Sequence, residues 1–335
     1  MPTYREQTAA TEPPPAPSIP ADPSGATVGP DTLSRQRVIP LRHPGRWIAA
    51  LVVTVFVAQV IESVATNRFF QWDRFGYWFL RPVVVDGLLV TLEVTAWTAV
   101  LGLLGGIVLA LGRLSRNPIL STLSWAYVWL FRSIPLIVVL LFLYNFSAIY
   151  PQISIGVPFG PVLFSVEEAR LAPAFVLAVI GLTLNESAYA AEVVRGGILS
   201  VDRGQHEAAA SLGMPKLYQF RRIVLPQALR SIIPNYVNQL IGLIKGTSLV
   251  FYVSLLDLFG TVQSMGATYS GDIVPLLMVA TVWYVILTSI VSVVQFYVER
   301  YYARGAVAVM PPTPLQRVVG QVREGWSLLT ARGRT

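Results

Sequence analysis

The chain has 335 residues, 54% of them hydrophobic and only 13% charged, with a mean hydropathy of +0.58 and a net charge of +7. A soluble domain carries about 25% charged residues, so the composition excludes an ordinary cytosolic protein and fits an integral membrane one. With no cysteine, disulfides, thiolate metal sites and cysteine nucleophiles are excluded together. The excess of Lys and Arg is read first as membrane topology and only second as affinity for anionic lipid or nucleic acid.

The region 1–44 is rich in Pro, Ala, Ser and Thr and lacks apolar periodicity. It is expected to be a disordered tail, because it cannot bury enough surface to offset its ordering entropy. Arg35, Arg37, Arg42 and Arg46 then lead into the apolar run Trp47–Ala65, read as an uncleaved span over 45–66. Ser63-Val64-Ala65 also has the small-residue pattern of a signal-peptidase site, but the basic leader is long for a signal peptide. Aromatic residues crowd Thr66–Val85, among them Phe69, Trp72, Phe75, Trp78 and Phe79, as at a membrane–water boundary.

Gly87–Gly112 predicts the second span, with Gly102, Gly105, Gly106 and Gly112 permitting close helix approach. After the turn Arg113–Pro118, the stretch Ile119–Phe131 reads either as an interfacial helix or as the start of the third span. Arg132-Ser133-Ile134-Pro135 interrupts, and Leu136–Tyr150 completes the crossing. The Pro- and Gly-bearing connector 151–170 reads as an outward loop. Leu171–Val194, Ile233–Leu256 and Ile273–Val298 give the remaining spans, so the expected fold is an all-α integral membrane protein with about six transmembrane helices.

Arg and Lys fall unevenly between the loops. Arg113, Arg116, Arg195, Arg203, Lys216, Arg221, Arg222, Arg230, Arg300 and Arg304 share one side with the N-terminal arginines, while Arg68, Arg74, Arg81 and Arg170 lie on the other. The basic side is expected to be cytoplasmic, and with it both termini.

The longest polar interruption, 202–226, predicts two short helices with a hard break. Asp202 and Gln205 have the spacing of a capping box, Glu207–Leu212 favour helix, and Gly213 suits the left-handed position that stops one. Pro215 suits the start of the next. The alanines leave a smooth helix, suited to a groove on a partner.

Glu207-Ala208-Ala209, Gly213 and Ile223-Val224-Leu225-Pro226 together resemble the EAA loop of bacterial ABC importer permeases. The resemblance implies a coupling helix that docks into an ATP-binding subunit, with Glu207, Ala208, Ala209, Gly213, Leu225 and Pro226 as its coupling residues. The polar-amino-acid branch of that family (histidine, glutamine, glutamate and arginine type) is resembled more widely. The matching stretches are Gly87–Leu92, Phe131–Leu136, Asn185–Glu192, Arg195–Ile198 and Lys245–Leu249. Ser133-Ile134 and Gly246 depart from its pattern. That branch usually has five core spans, so the resemblance implies a permease domain over 84–304, an added span at 45–66 and a cytoplasmic C-terminal tail at 305–335.

Polar residues inside spans face the bundle interior or a water-filled path. Asn185, Glu186 and Tyr189 form one such group in the fourth span. Gln239, Lys245, Thr247 and Ser248, with Asn238, form another in the fifth. A zwitterionic amino acid needs an acceptor for its ammonium and donors for its carboxylate, roles open to Glu186 and Lys245. The same two residues could instead pair with each other or brace helices. Glu192 is placed to pair with Arg195 at i+3.

The family implies a bacterial inner-membrane permease subunit for polar amino acids. Its partners would be a second permease copy or a sister permease, two ATP-binding subunits and an extracytoplasmic solute-binding protein, with membrane lipid around it and no nucleic acid. ATP and Mg would belong to the ATPase, since this chain has no G-x-x-x-x-G-K-[ST] phosphate loop, and no metal site or catalytic residue is expected. An intramembrane hydrolase is disfavoured because the two histidines, His43 and His206, lie outside the spans. A scaffold or sensor recruiting a cytosolic partner without transport is the alternative.

Overall fold

The computed structural model describes residues 44–146, 152–157, 160–167 and 173–303. The expected tail at 305–335 and all but Pro44 of that at 1–44 lie outside the described residues. The chain divides into two units, Met1–Ser63 and Val64–Thr335. In the first, the described residues form helix α1, Pro44–Thr66, which runs on past the division. Its Ile48–Thr66 stretch is long and apolar enough to cross a membrane.

In the second unit, a short helix α2 (Trp72–Phe79) precedes α3 (Pro82–Arg113), which starts with proline in its first turn, where the missing N–H costs nothing. Asn117 opens α4 (Pro118–Ser133) by accepting the N–H groups of Ile119 and Leu120. Ile134 is extended (φ −88°, ψ 130°), as a residue before proline prefers. α5 (Leu136–Tyr144) therefore resumes at 99° to α4. The stretch left open as interfacial or spanning is thus the first arm of a sharply bent pair.

The connector expected as a loop contains a short antiparallel hairpin, β1 (Gln152–Gly156) with β2 (Val162–Glu167), Ser154 opposite Ser165. Alternating Ile153/Ile155 and Val162/Phe164/Val166 carry the period-two signal, which the intervening prolines and glycines obscure. α6 runs Ala174–Leu199. Then come α7 (Arg203–Ser211) and α8 (Lys216–Gln219), and a wide π turn (Phe220–Val224) enters α9 (Leu225–Gly246).

The fifth span does not run straight to Leu256. It tightens into a 3₁₀ helix at Thr247–Val253 and bends by 47° into a further helix, α10 (Leu258–Thr268). Two local causes are visible. Ser254 adopts the left-handed conformation (φ 63°), ending one helix, and Asp257 Oδ1 accepts the Gly260 N–H at 2.8 Å, starting the next. α11 (Ile273–Tyr302) closes the bundle. Among the described residues four helices are long and apolar enough to cross a membrane, or up to six if each bent pair is one span.

The core runs along the bundle in three clusters. One gathers Trp78, Val84, Leu258 and Leu276, the next Val94, Leu140, Leu182 and Val250. The last gathers Ala110, Val194, Val224 and Ile232 at the end that carries α7. The closest seam is between α3 and α6. A Cβ on Gly102 would lie 2.5 Å from Glu186 Cγ, and one on Gly106 2.5 Å from Ala190 Cβ. The glycines are therefore what lets α6 bring its polar residues against α3. Outside, Val100, Leu104 and Val108 of α3 and Ile290, Val293 and Val294 of α11 are exposed, an apolar surface suited to lipid, with the helix interior keeping its backbone groups hydrogen-bonded within the helix.

Candidate functional site

Two places carry most of the predicted site residues: a solvent-exposed elbow and a largely apolar cavity that holds a few polar groups. The elbow is built by local chemistry. Asp202 Oδ1 accepts the Gly204 N–H at 2.7 Å, and Gln205 joins the cap through its backbone N–H, which donates to Asp202 O at 3.2 Å. α7 then ends in a complete Schellman arrangement. The Met214 N–H donates to Ala209 O at 3.1 Å, the Gly213 N–H to Ala210 O at 2.9 Å, and Gly213 has φ +68°. Pro215 caps α8 rather than lying within its first turn. Gln219 Nε2 reaches back 3.0 Å to His206 Nδ1 and donates to His206 O at 3.2 Å, pinning the two short helices together.

Of the predicted coupling residues, Glu207, Ala208, Gly213 and Pro226 are exposed, Leu225 is half-buried and Ala209 is buried. Ala209 thus faces the protein and supports the elbow instead of presenting its surface. Three exposed residues there were missed by the sequence reading: Leu212, Leu217 and Tyr218, with Leu212 77% exposed. Their signal was the occurrence of large apolar side chains in an otherwise polar segment.

The cavity, about 240 Å³, lies between α5, α6 and α9 and is lined in part by Asn185, Glu186, Tyr189, Gln239, Gly242 and Gly246. Glu186 is 5% exposed, and its Oε1 accepts from Gln239 Nε2 at 2.8 Å. Asn185 Nδ2 donates to Phe131 O at 3.0 Å, tying the cavity to the end of α4. Tyr189 is 40% exposed. The predicted pathway residues therefore separate. Asn185, Glu186, Tyr189 and Gln239 share one cavity. Lys245 is exposed and not among its lining, Thr247 is buried with its hydroxyl donating to Ile244 O at 2.8 Å, and Ser248 Oγ donates to Lys245 O at 2.8 Å.

Glu186 is thus partnered by Gln239, and by packing over Gly102, rather than by Lys245. Glu192 does bond Arg195, at 2.8 Å, and also Arg113. The cavity sets one acid and two amides among leucines inside an apolar bundle. Among the described residues no cluster of His, Asp or Glu could hold a metal ion.

Long apolar helices around a cavity that holds a few polar groups, with an exposed elbow at one end, are the architecture of a membrane-embedded subunit. The family model described as "Binding-protein-dependent transport system inner membrane component" matches residues 102–304. The arginine transport system permease protein ArgU of Corynebacterium glutamicum is 40% identical over 273 residues, 81% of this chain and 84% of that one. The glutamate/aspartate import permease protein GltK of Escherichia coli is 36% identical over 219 residues, 65% and 93% of the two chains. A crystal structure of an amino acid ABC transporter with histidines superposes with a TM-score of 0.56 at 30% identity, covering 66% of this chain and 94% of that one. The chain belongs to the family of binding-protein-dependent transport system inner membrane components. It is an ABC-type permease subunit, and the elbow fits the EAA loop and coupling helix of that family.

Proposed function

We propose that this permease forms half of an ATP-driven import pathway for polar amino acids, and that basic amino acids suit it best. One observation carries the substrate class: the only ionisable group among the cavity's lining residues apart from the Tyr189 phenol is the buried carboxylate of Glu186, flanked by Gln239 and Asn185. A buried acid held by a single amide has acceptor capacity left for an ammonium or guanidinium. The relatives named for arginine and for glutamate/aspartate both support polar amino acids, and the arginine one, which supports a basic substrate, is the more similar of the two.

The path is completed by a second permease, identical or a sister, and a binding protein outside delivers the substrate. Two ATP-binding subunits engage the elbow through Glu207, Ala208, Gly213 and Pro226, with the exposed Leu212 and Leu217 as apolar contacts. ATP and Mg are held by those partners, this chain performs no chemistry, and both termini face the cytoplasm with the elbow.

The test is ATP-dependent uptake of L-arginine and L-glutamate by proteoliposomes holding this permease with its ATPase and binding protein. Wild type should accumulate L-arginine. Glu186→Gln should lower uptake at least about tenfold, the loss of one charge-assisted bond, while the complex still assembles. Undiminished uptake in that variant removes Glu186 from the path, and ATPase binding without any uptake favours the scaffold alternative.

A further inference from the structure

The cavity around Glu186 has an acceptor for an amine but no cationic donor for a carboxylate, and Lys245 does not line it. A surplus of cations lies next door. Glu192 holds Arg113 and Arg195 directly, the latter at 2.8 Å. A third guanidinium, on Arg132, stands 3.5 Å from the same carboxylate. Three positive charges thus face one negative charge.

Arg132 is the least engaged of the three. Its side chain is 44% exposed, against 18% for Arg113, and among the described residues its contacts are that ion pair and the ring of Tyr189, 5.2 Å from the guanidinium. It opens onto a cleft of about 360 Å³ walled by Trp125, Trp129 and Tyr189, the two indoles being stacked at 6.1 Å.

This cleft shares a wall with the Glu186 cavity. Tyr189 lines both, and Asn185, beside Glu186, donates to the carbonyl of Phe131, beside Arg132. From these we infer that Arg132 is the carboxylate-recognising residue of the pathway. It takes the α-carboxylate of an amino acid whose amine is held by Glu186, or receives it as the solute leaves toward the elbow. The planar guanidinium presents paired donors that match a carboxylate, and Glu192 keeps two other cations, so Arg132 can turn to a ligand without leaving an acid unpaired.

The inference rests on the amino-acid reading, and the test separates the two. The permease–ATPase complex is placed in neutral phosphatidylcholine nanodiscs, without binding protein. Binding of L-arginine is compared with that of agmatine, which has the same side chain and no carboxylate. Wild type should prefer L-arginine. Arg132→Gln should bind it about tenfold to a hundredfold more weakly, the range of one lost charge-assisted bond, with agmatine unchanged. Arg132→Lys should fall between, while Glu186→Gln should weaken both probes. Wild-type L-arginine affinity in both Arg132 variants, or equal loss of the two probes, overturns the assignment. A cleft occupied instead by a lipid headgroup would show wild-type L-arginine affinity falling when phosphatidylglycerol is added, with Arg132→Gln insensitive, and that result also overturns it. Failure of the wild-type complex to bind L-arginine, L-glutamine or L-glutamate contradicts the amino-acid reading itself.

Discussion

The cavity and the elbow are made by opposite means. The elbow is held by contacts between residues close in sequence: Asp202 on Gly204, Gly213 on Ala210, Met214 on Ala209, Gln219 on His206. The cavity is held across the fold: Gln239 on Glu186, Asn185 on Phe131, and Gly102 beneath Glu186. A locally built element keeps its shape while its whole outer surface stays free for a partner. A site assembled from distant helices changes shape when those helices shift. That division suits the proposed coupling role, with a locally braced handle at one end and a pocket assembled from several helices at the other.

Substitutions break the two regions differently. The largest effect is expected at Gly102→Leu, because even a Cβ there lies 2.5 Å from Glu186 Cγ. Overpacking of this kind costs about 1–3 kcal/mol or more, so both the melting temperature and substrate binding should fall, with the elbow's engagement of the ATPase retained in whatever protein assembles. Gly213→Val comes next. A side chain at φ +68° costs about 1–2 kcal/mol with no steric neighbour within 4 Å. Thermal stability of the bundle should therefore change little while ATP hydrolysis continues with reduced uptake. Normal uptake would remove the assigned break from the coupling role. Asp202→Ala is smallest, about 1 kcal/mol from one lost cap, seen as faster amide exchange in α7 with uptake lowered only slightly.

The same contrast explains what was legible in the sequence. Asp202 and Gly213 act on their immediate neighbours, so spacing alone revealed the elbow. The long apolar runs likewise revealed the bundle. Lys245 stands apart from the Glu186 cavity because membership of a polar series is not membership of one face. At about 100° per residue it lies about 120° around the helix from Gln239, whereas Gly242 and Gly246 follow Gln239 at i+3 and i+7 and line the cavity with it. Helix α10 was missed because the stop at Ser254 depends on a left-handed backbone at a non-glycine residue, which residue type does not announce. Gln239 as the partner of Glu186 depends on how α6 meets α9, and no local pattern encodes that.

Because the chain has no cysteine, the central claim can be tested by a single introduced thiol. In Leu212→Cys, at a position 77% exposed on the elbow, a membrane-impermeant maleimide should react from the cytoplasmic face in the permease alone. The thiol should become protected when the ATP-binding subunits assemble. Reaction only from the outer face, or equal reaction with and without those subunits, would contradict the account.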